Sequence, residues 1–232
     1  MVGYLTKRAD GLFGERGLAY DYILSGNGLW IEAEGILMAA RVPVAEAVVR
    51  GLDEMEDQVV LGHGPIPQLL FDLALSEMSK DVSREKYVAV VWRDEAYHLE
   101  VPEQEMTGGS VHYQNPDNVV LDIHSHGKMR AFFSSQDDID EQGFKLYCVV
   151  GKLNDDMPMV LLRVGVYGYF HLIQSGQVFN GSLQRVLEGA DGSLQQAIEQ
   201  EVEYALQGED EGQGRQHRHS NRRDWWNRLL RR

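Results

Sequence analysis

Two histidines spaced by one residue, His124 and His126, close the run Val119-Val120-Leu121-Asp122-Ile123 and stand just before Gly127. Alternate residues of a strand face the same side, so both imidazoles can reach one metal ion. Further along, Asp137 follows Ser134 by three positions inside Ser134-Ser135-Gln136-Asp137-Asp138-Ile139-Asp140. Ser134 is a good N-cap, and the acids behind it suit the positive end of a helix. A helix starting there turns Asp137 back toward the strand end that carries the histidines. Zinc takes neutral imidazole nitrogen and carboxylate oxygen at about 2.0–2.2 Å. Two His and one Asp fill three positions and leave a fourth for water, as in a catalytic rather than a structural zinc site. Singly, a His-x-His pair is most often a surface or hydrogen-bonding pair, and an Asp run is most often only a helix start. The combination carries the metal reading.

The elements that must position these residues follow from hydrophobic patterning. Partial alternation over 17–24, 28–33 and 35–42 predicts short strands separated by glycine. The stretch Gly62-His63-Gly64-Pro65-Ile66-Pro67 is dense in breakers and marks a boundary, with His63 in a turn. Pro67 suits a first helical turn, and Leu69, Leu70, Leu73, Ala74 and Met78 recur at helical spacing. Strands are then expected at 87–92, 98–101, 110–113, 119–124, 147–151 and 159–167. Mixed strands with a few helices suggest an α/β or α+β domain. A last amphipathic helix is expected at about 193–206, through Leu194, Ala197, Ile198, Val202 and Leu206. From Gly208 onward the composition is that of a flexible tail. The expected organisation is a β-rich accessory domain at 1–64, a zinc domain at 65–182, a helical segment at 183–207 and a basic tail at 208–232.

Composition sets the bounds. The chain has 232 residues, with 43% hydrophobic and 25% charged residues, enough for a sizeable core without disulfides. Its single cysteine, Cys148, excludes an internal disulfide and a cysteine-rich zinc finger, and reads as a small buried hydrophobe. No signal-peptide-like stretch opens the chain, and no run approaches the roughly 18–20 apolar residues of a membrane span. A cytoplasmic protein of prokaryotic type is expected. The net charge is −14; the segment from Arg215 holds seven Arg and one Asp, so +6 sits on the tail and −20 on the rest. An acidic body disfavours nucleic-acid binding.

His124-x-His126, seven residues, Ser134, two residues and Asp137 resembles the JAMM/MPN-type (JAB) metallopeptidase motif at every motif position, over a span of about 67–173. The resemblance implies a JAB/MPN-like, cytidine-deaminase-like fold, an α+β mixed sheet flanked by helices. It implies that His124, His126 and Asp137 bind Zn2+, and that Ser134 hydrogen-bonds the tetrahedral intermediate. A glutamate on an earlier element acts in that family as general base on a zinc-activated water. Glu85, between a helix and the strand at 87–92, occupies the matching place, although the family's glycine three residues later is Val88 here. Glu100 and Glu103 are substitutes, and Ser135 with Asp138 forms a second register that the family spacing disfavours. The stretch 120–127, with Ala131-Phe132-Phe133-Ser134 and Gly165-Val166-Tyr167-Gly168, also resembles the A-protein family of the prokaryotic PRTRC cassette. Such cassettes also encode ParB-related and ThiF/E1-like proteins. The implied activity is zinc-dependent hydrolysis of a peptide or isopeptide bond, with a protein or peptide substrate of the ubiquitin-like class and a ThiF/E1-like partner. The alternative is a catalytically inactive JAB-fold scaffold that binds a ubiquitin-like or cassette partner.

Other metal chemistries fit less well. Asp122-x-His124-x-His126 also opens amidohydrolase-type barrels, but a barrel takes about 250 residues, and only 106 follow His126. Zinc deaminases need a Cys-x-x-Cys, and His-Glu-x-x-His is absent from the sequence. His217-Arg218-His219 reads as incidental in a polar tail. Trp225-Trp226 with Leu229-Leu230 among arginines could dock on a partner, an acidic membrane surface or the acidic body.

Overall fold

Each long apolar run becomes a strand buried on both faces, and these strands lie together at the centre of a sheet. The structure, a computed structural model, describes residues 2–102, 104–107, 110–113 and 116–189. In chain order the strands are β1 (Val2–Arg8), β2 (Gly11–Glu15), β3 (Tyr20–Ser25), β4 (Gly28–Glu34), β5 (Met38–Glu46), β6 (Gln58–Leu61), β7 (Tyr87–Arg93), β8 (Ala96–Glu100), β9 (Gln104–Thr107), β10 (Ser110–Tyr113), β11 (Val119–Ser125), β12 (Phe144–Gly151), β13 (Met159–Val166), β14 (Tyr169–Ile173) and β15 (Leu187–Glu188). The helices are α1 (Gln68–Met78) and α2 (Ser135–Asp140).

The first sheet has the order β2-β1-β3-β4-β5-β6, with β1 and β3 parallel. The second has the order β14-β13-β12-β11-β7-β8, with β15 beside β13, and its central pair β11 and β12 is parallel. Strands β9 and β10 form a separate antiparallel pair. Parallel neighbours cannot be joined by a tight turn; the chain must cross over. The crossover between β11 and β12 spans 126–143 and carries His126, Ser134 and Asp137. The motif spacing is thus the length of one crossover connection.

One hydrophobic core lies between the sheets. Ile31 and Ala33 of β4 and Met38, Ala40 and Val42 of β5 meet Val88 and Val90, Leu121 and Ile123, Leu146, Cys148 and Val150, and Val160, Leu162 and Val164 of the second sheet. Each fully buried Val, Leu, Ile or Met side chain among them contributes about 1.5–3 kcal/mol. Helix α1 adds Phe71, Ala74 and Met78 to the same core. A smaller cluster of Leu5, Ile23, Trp30 and Met55 lies apart from it. All the described residues fall within the compact unit Met1–Asp191.

This architecture corrects the expected α/β fold. The chain is mostly β, with two mixed sheets and two α-helices among the described residues, rather than a helix-flanked sheet. The physical reason is the cover of the second sheet's inner face: strands β4 and β5 supply it, assisted by one helix, where a helical layer was expected. The helix after Pro67 forms, but its buried stripe is Phe71, Ala74 and Met78, while Leu69 and Leu73 remain 64% and 48% exposed. No helix among the described residues is long and apolar enough to cross a membrane. The helix expected at 193–206, the His217/His219 pair, the Trp225-Trp226 cluster, the basic tail and Glu103 lie outside the described residues.

Candidate metal centre

Strand β11 aims His124 outward from the core. Ile123 and Leu121 point into the core, so His124 and Asp122 share the opposite face. His124 sits between Tyr87 of β7 and Val149 of β12 in register. His126 follows the strand end, where its N–H donates to the Val150 carbonyl at 2.8 Å. The chain then folds tightly over the start of the next connection: Lys152 N donates to Met129 O at 2.6 Å and Leu153 N to Gly127 O at 2.9 Å. Gly127 has φ +57°, a left-handed turn that glycine adopts without strain. Gly151 is glycine for another reason: a Cβ there would lie 2.2 Å from Ala131 N and 2.6 Å from Met129 O.

Ser134 caps α2 and forms a capping box with Asp137. The Ser134 N–H and hydroxyl both donate to Asp137 Oδ2, at 2.6 and 2.7 Å, and Asp137 N donates back to the hydroxyl oxygen at 3.2 Å. One carboxylate oxygen is therefore fully engaged. The other, Oδ1, faces His124 Nε2 at 3.5 Å. Two ligands about 2.0–2.1 Å from a tetrahedral ion lie about 3.3–3.4 Å apart, so this pair is spaced for zinc.

Ligand atoms of His124, His126 and Asp137 all lie within 4.8 Å of one another, the one such group of His, Cys, Asp or Glu among the described residues. His124 Nε2 and His126 Nδ1 are buried without a hydrogen-bond partner. A buried polar atom left unpaired costs about 1–3 kcal/mol, and metal ligation is one way to satisfy it. Burial pushes the His124 imidazole down to about 4, against an opposing pull from the Asp137 carboxylate. It is therefore neutral at physiological pH, the form that ligates. The donor set fits zinc: two imidazoles, one carboxylate and no thiolate. Asp138, the acid of the alternative register, turns away and pairs with Arg163 at 2.6 Å.

Glu85 lies in the loop before β7. Ser125 N donates to Lys86 O at 2.9 Å, so continuation of the ladder brings Glu85 level with His126. Its side chain is exposed and is not part of the ligand group. Glu100 is on β8, two strands from β11, with its carboxylate 2.6 Å from Arg93 Nη1.

Sequence reasoning missed the charged residues behind the ligands. Glu141, at the end of α2, places Oε1 3.9 Å from His124 Nδ1. Its Oε2 accepts from Arg163 Nε and Nη2 at 3.0 and 2.5 Å. Burial outweighs this guanidinium and pushes the Glu141 carboxyl up to about 7. Beside His124, Asp122 accepts from the Tyr87 hydroxyl and pairs with Lys145 Nζ at 2.6 Å. The available signal was Arg163 itself, a single charge inside the apolar strand Met159–Val166. Compared with known proteins, the chain matches no family model and no curated protein.

Proposed function

We propose that the protein is a zinc-dependent hydrolase of peptide or isopeptide bonds, with His124, His126 and Asp137 as the metal ligands. The observation that carries the reading is the convergence of these three donors, two with buried unpaired nitrogens, at the mouth of one crossover connection. The resemblance of His124-x-His126…Ser134-x-x-Asp137 to the JAMM metallopeptidase motif supports the choice of reaction, and the resemblance to the PRTRC A-protein family supports a cytoplasmic setting with a ThiF/E1-like partner. A substrate of the ubiquitin-like class belongs to the same reading.

Bound zinc would supply Lewis-acid chemistry, polarising a carbonyl oxygen and acidifying a water. Ser134 holds Asp137 through Oδ2 so that Oδ1 stays directed at the ligand cluster. Its hydroxyl hydrogen, which rests on Asp137 Oδ2, would turn to the oxyanion that develops on the scissile carbonyl. Glu85 would take a proton from the attacking water and return it to the leaving amine. Its backbone is level with His126, at the entry to the strand neighbouring the one that carries His124.

The exposed Glu85 side chain, outside the ligand group, favours a second reading: a metal-holding scaffold that binds a ubiquitin-like or cassette partner without cleaving it. Zinc-loaded protein incubated with ubiquitin-like proteins carrying C-terminal peptide or isopeptide extensions separates the two. Cleavage that Glu85→Gln abolishes, with zinc content unchanged, supports the hydrolase. Binding without cleavage supports the scaffold.

A further inference from the structure

We propose that the open edge of β14 docks an extended, basic peptide segment of a partner protein, which adds a further strand to the second sheet and lies on the uncovered part of the first. The inference stands apart from the metal centre.

Strand β14 crosses the first sheet steeply. The Tyr169 hydroxyl lies 2.9 Å from that of Tyr22 on β3, and His171 Nε2 lies 3.7 Å from Asp57 Oδ2, just before β6. Tyr22, Ile31 and Val42 stand opposite one another in register, so this row across β3, β4 and β5 lies beneath β14. On one side of the row the second sheet covers the first: Ala33, Met38 and Ala40 are each 2% exposed. On the other side the cover ends. Leu24 is 39% exposed, and Thr6, Leu29 and Val44 are half-buried; Tyr4, paired with Tyr22, is 69% exposed. A shelf of the first sheet's inner face therefore continues past β14 with no described strand above it.

The backbone of β14 borders this shelf. Val166 and Tyr169 close the two-residue turn Tyr167-Gly168, whose φ angles are +50° and +90°. Successive residues of an antiparallel strand bond to opposite neighbours. Tyr169, His171 and Ile173 thus bond toward β13, while Phe170 and Leu172 present their N–H and C=O groups to the open side. Natural edges are blunted by charge, proline or a bulge. Tyr-Phe-His-Leu-Ile carries no Asp, Glu, Lys, Arg or Pro, and its register with β13 is unbroken. The other edges are guarded: β2 holds Gly11, Gly14 and Glu15, β6 is four residues long, and β8 ends on Glu100. Extended peptides add to an open edge through main-chain hydrogen bonds, with alternate side chains supplying specificity. A strand placed about 4.8 Å from β14 would set its inward side chains over Leu24, Leu29 and Val44.

Charge selects the occupant. The segment leading into β6 exposes four carboxylates, Asp53, Glu54, Glu56 and Asp57, and the last reaches β14. The whole chain has a net charge of −14. A second copy would bring the same acids to the same edge and be repelled, whereas a segment alternating apolar and basic residues is attracted.

The probe is the peptide acetyl-Lys-Val-Arg-Val-Lys-Val-Lys-amide, titrated into the full-length chain with binding followed by fluorescence anisotropy and amide exchange by NMR. Saturable binding should protect the Phe170 and Leu172 amides, with or without zinc. N-methylation of one alternate set of peptide amides should weaken binding about 10-fold, and of the other set should not. Replacing its basic residues by Glu should weaken binding at least as much. Leu172→Pro removes one outward donor and leaves the β13 ladder intact; Leu24→Lys puts a charge on the shelf. Each should weaken binding about 10-fold. Absence of binding, unchanged exchange at Phe170 and Leu172 on binding, or equal tolerance of both methylated sets overturns the proposal. Edge amides already protected before peptide is added overturn it too, and a doubled mass in that state would make a second copy the occupant.

Discussion

Replacing Ser134 by alanine separates the two tasks assigned to its hydroxyl. In the free protein the hydroxyl donates to Asp137 Oδ2 at 2.7 Å and accepts from Asp137 N at 3.2 Å. The variant loses the N-cap of α2, which costs about 1 kcal/mol in comparable helices. It also loses one of the two hydrogen bonds holding Oδ2, while the Ser134 N–H remains. A net destabilisation of about 1–2 kcal/mol is expected. For a domain of this size each kcal/mol lowers Tm by about 2–4 °C, so the metal-free variant should melt about 2–8 °C below wild type. With Oδ2 held by one donor, Asp137 gains rotational freedom and Oδ1 is no longer confined near His124. Zinc affinity should fall roughly 10-fold, the lower end of the range for loss of an outer-shell partner. Ser134→Thr keeps a capping hydroxyl and should recover most of both losses. The assays are thermal melting in chelator and competition for zinc with a coloured chelator. An unchanged zinc affinity together with lost turnover would refute the orienting role and leave Ser134 acting on substrate alone.

Glu85→Gln should retain zinc at the wild-type level while eliminating hydrolysis, because its side chain lies outside the ligand group; loss of zinc would make it a ligand. Gly151→Ala puts a methyl group within 2.2–2.6 Å of the 129–131 backbone, so that segment must move, costing about 1–3 kcal/mol and weakening zinc binding. A variant as stable as wild type would show that the segment does not pack there. His124 is lowered to about 4 from 6.5, so its contribution to stability is present above 6.5 and is lost as pH falls toward 4. Glu141, raised to about 7 from 4.5, has the opposite sign: its contribution is present below 4.5 and is lost as pH rises through 7. The two windows overlap with opposite slopes, so in urea unfolding of the metal-free protein from pH 4 to 8 His124→Ala should make stability fall with rising pH relative to wild type and Glu141→Gln should make it rise more steeply between about pH 4.5 and 6.5; unchanged profiles would contradict both assignments.

The strands that build the site were legible because they are buried on both faces and read as continuous apolar runs: Tyr87–Arg93, Val119–Ser125, Phe144–Gly151 and Met159–Val166. Strands β2 and β6 were not, because Gly-Leu-Phe-Gly-Glu and Gln-Val-Val-Leu are short edge segments with mixed exposure. The sheet-on-sheet packing was hidden for a different reason. Apolar residues on one face of a strand demand cover but do not say whether a helix or a second sheet provides it. Leu69 and Leu73 misled the reading of α1, since helical spacing identifies a stripe only when the leucines outside it are discounted. The candidate ligands were visible as types at a spacing. Their neighbours were not: Glu141 and Arg163 are 22 residues apart and meet only because β12 and β13 pair antiparallel.

Metal content of the purified chain tests the central claim most directly. The site should hold about one zinc per chain, removable by chelator with little change in far-UV circular dichroism, because the core between the sheets contains none of the three ligands. His124→Ala and Asp137→Ala should each abolish stoichiometric zinc while remaining folded. A wild-type chain without zinc affinity, or a His124→Ala chain that keeps its full complement, would contradict the account.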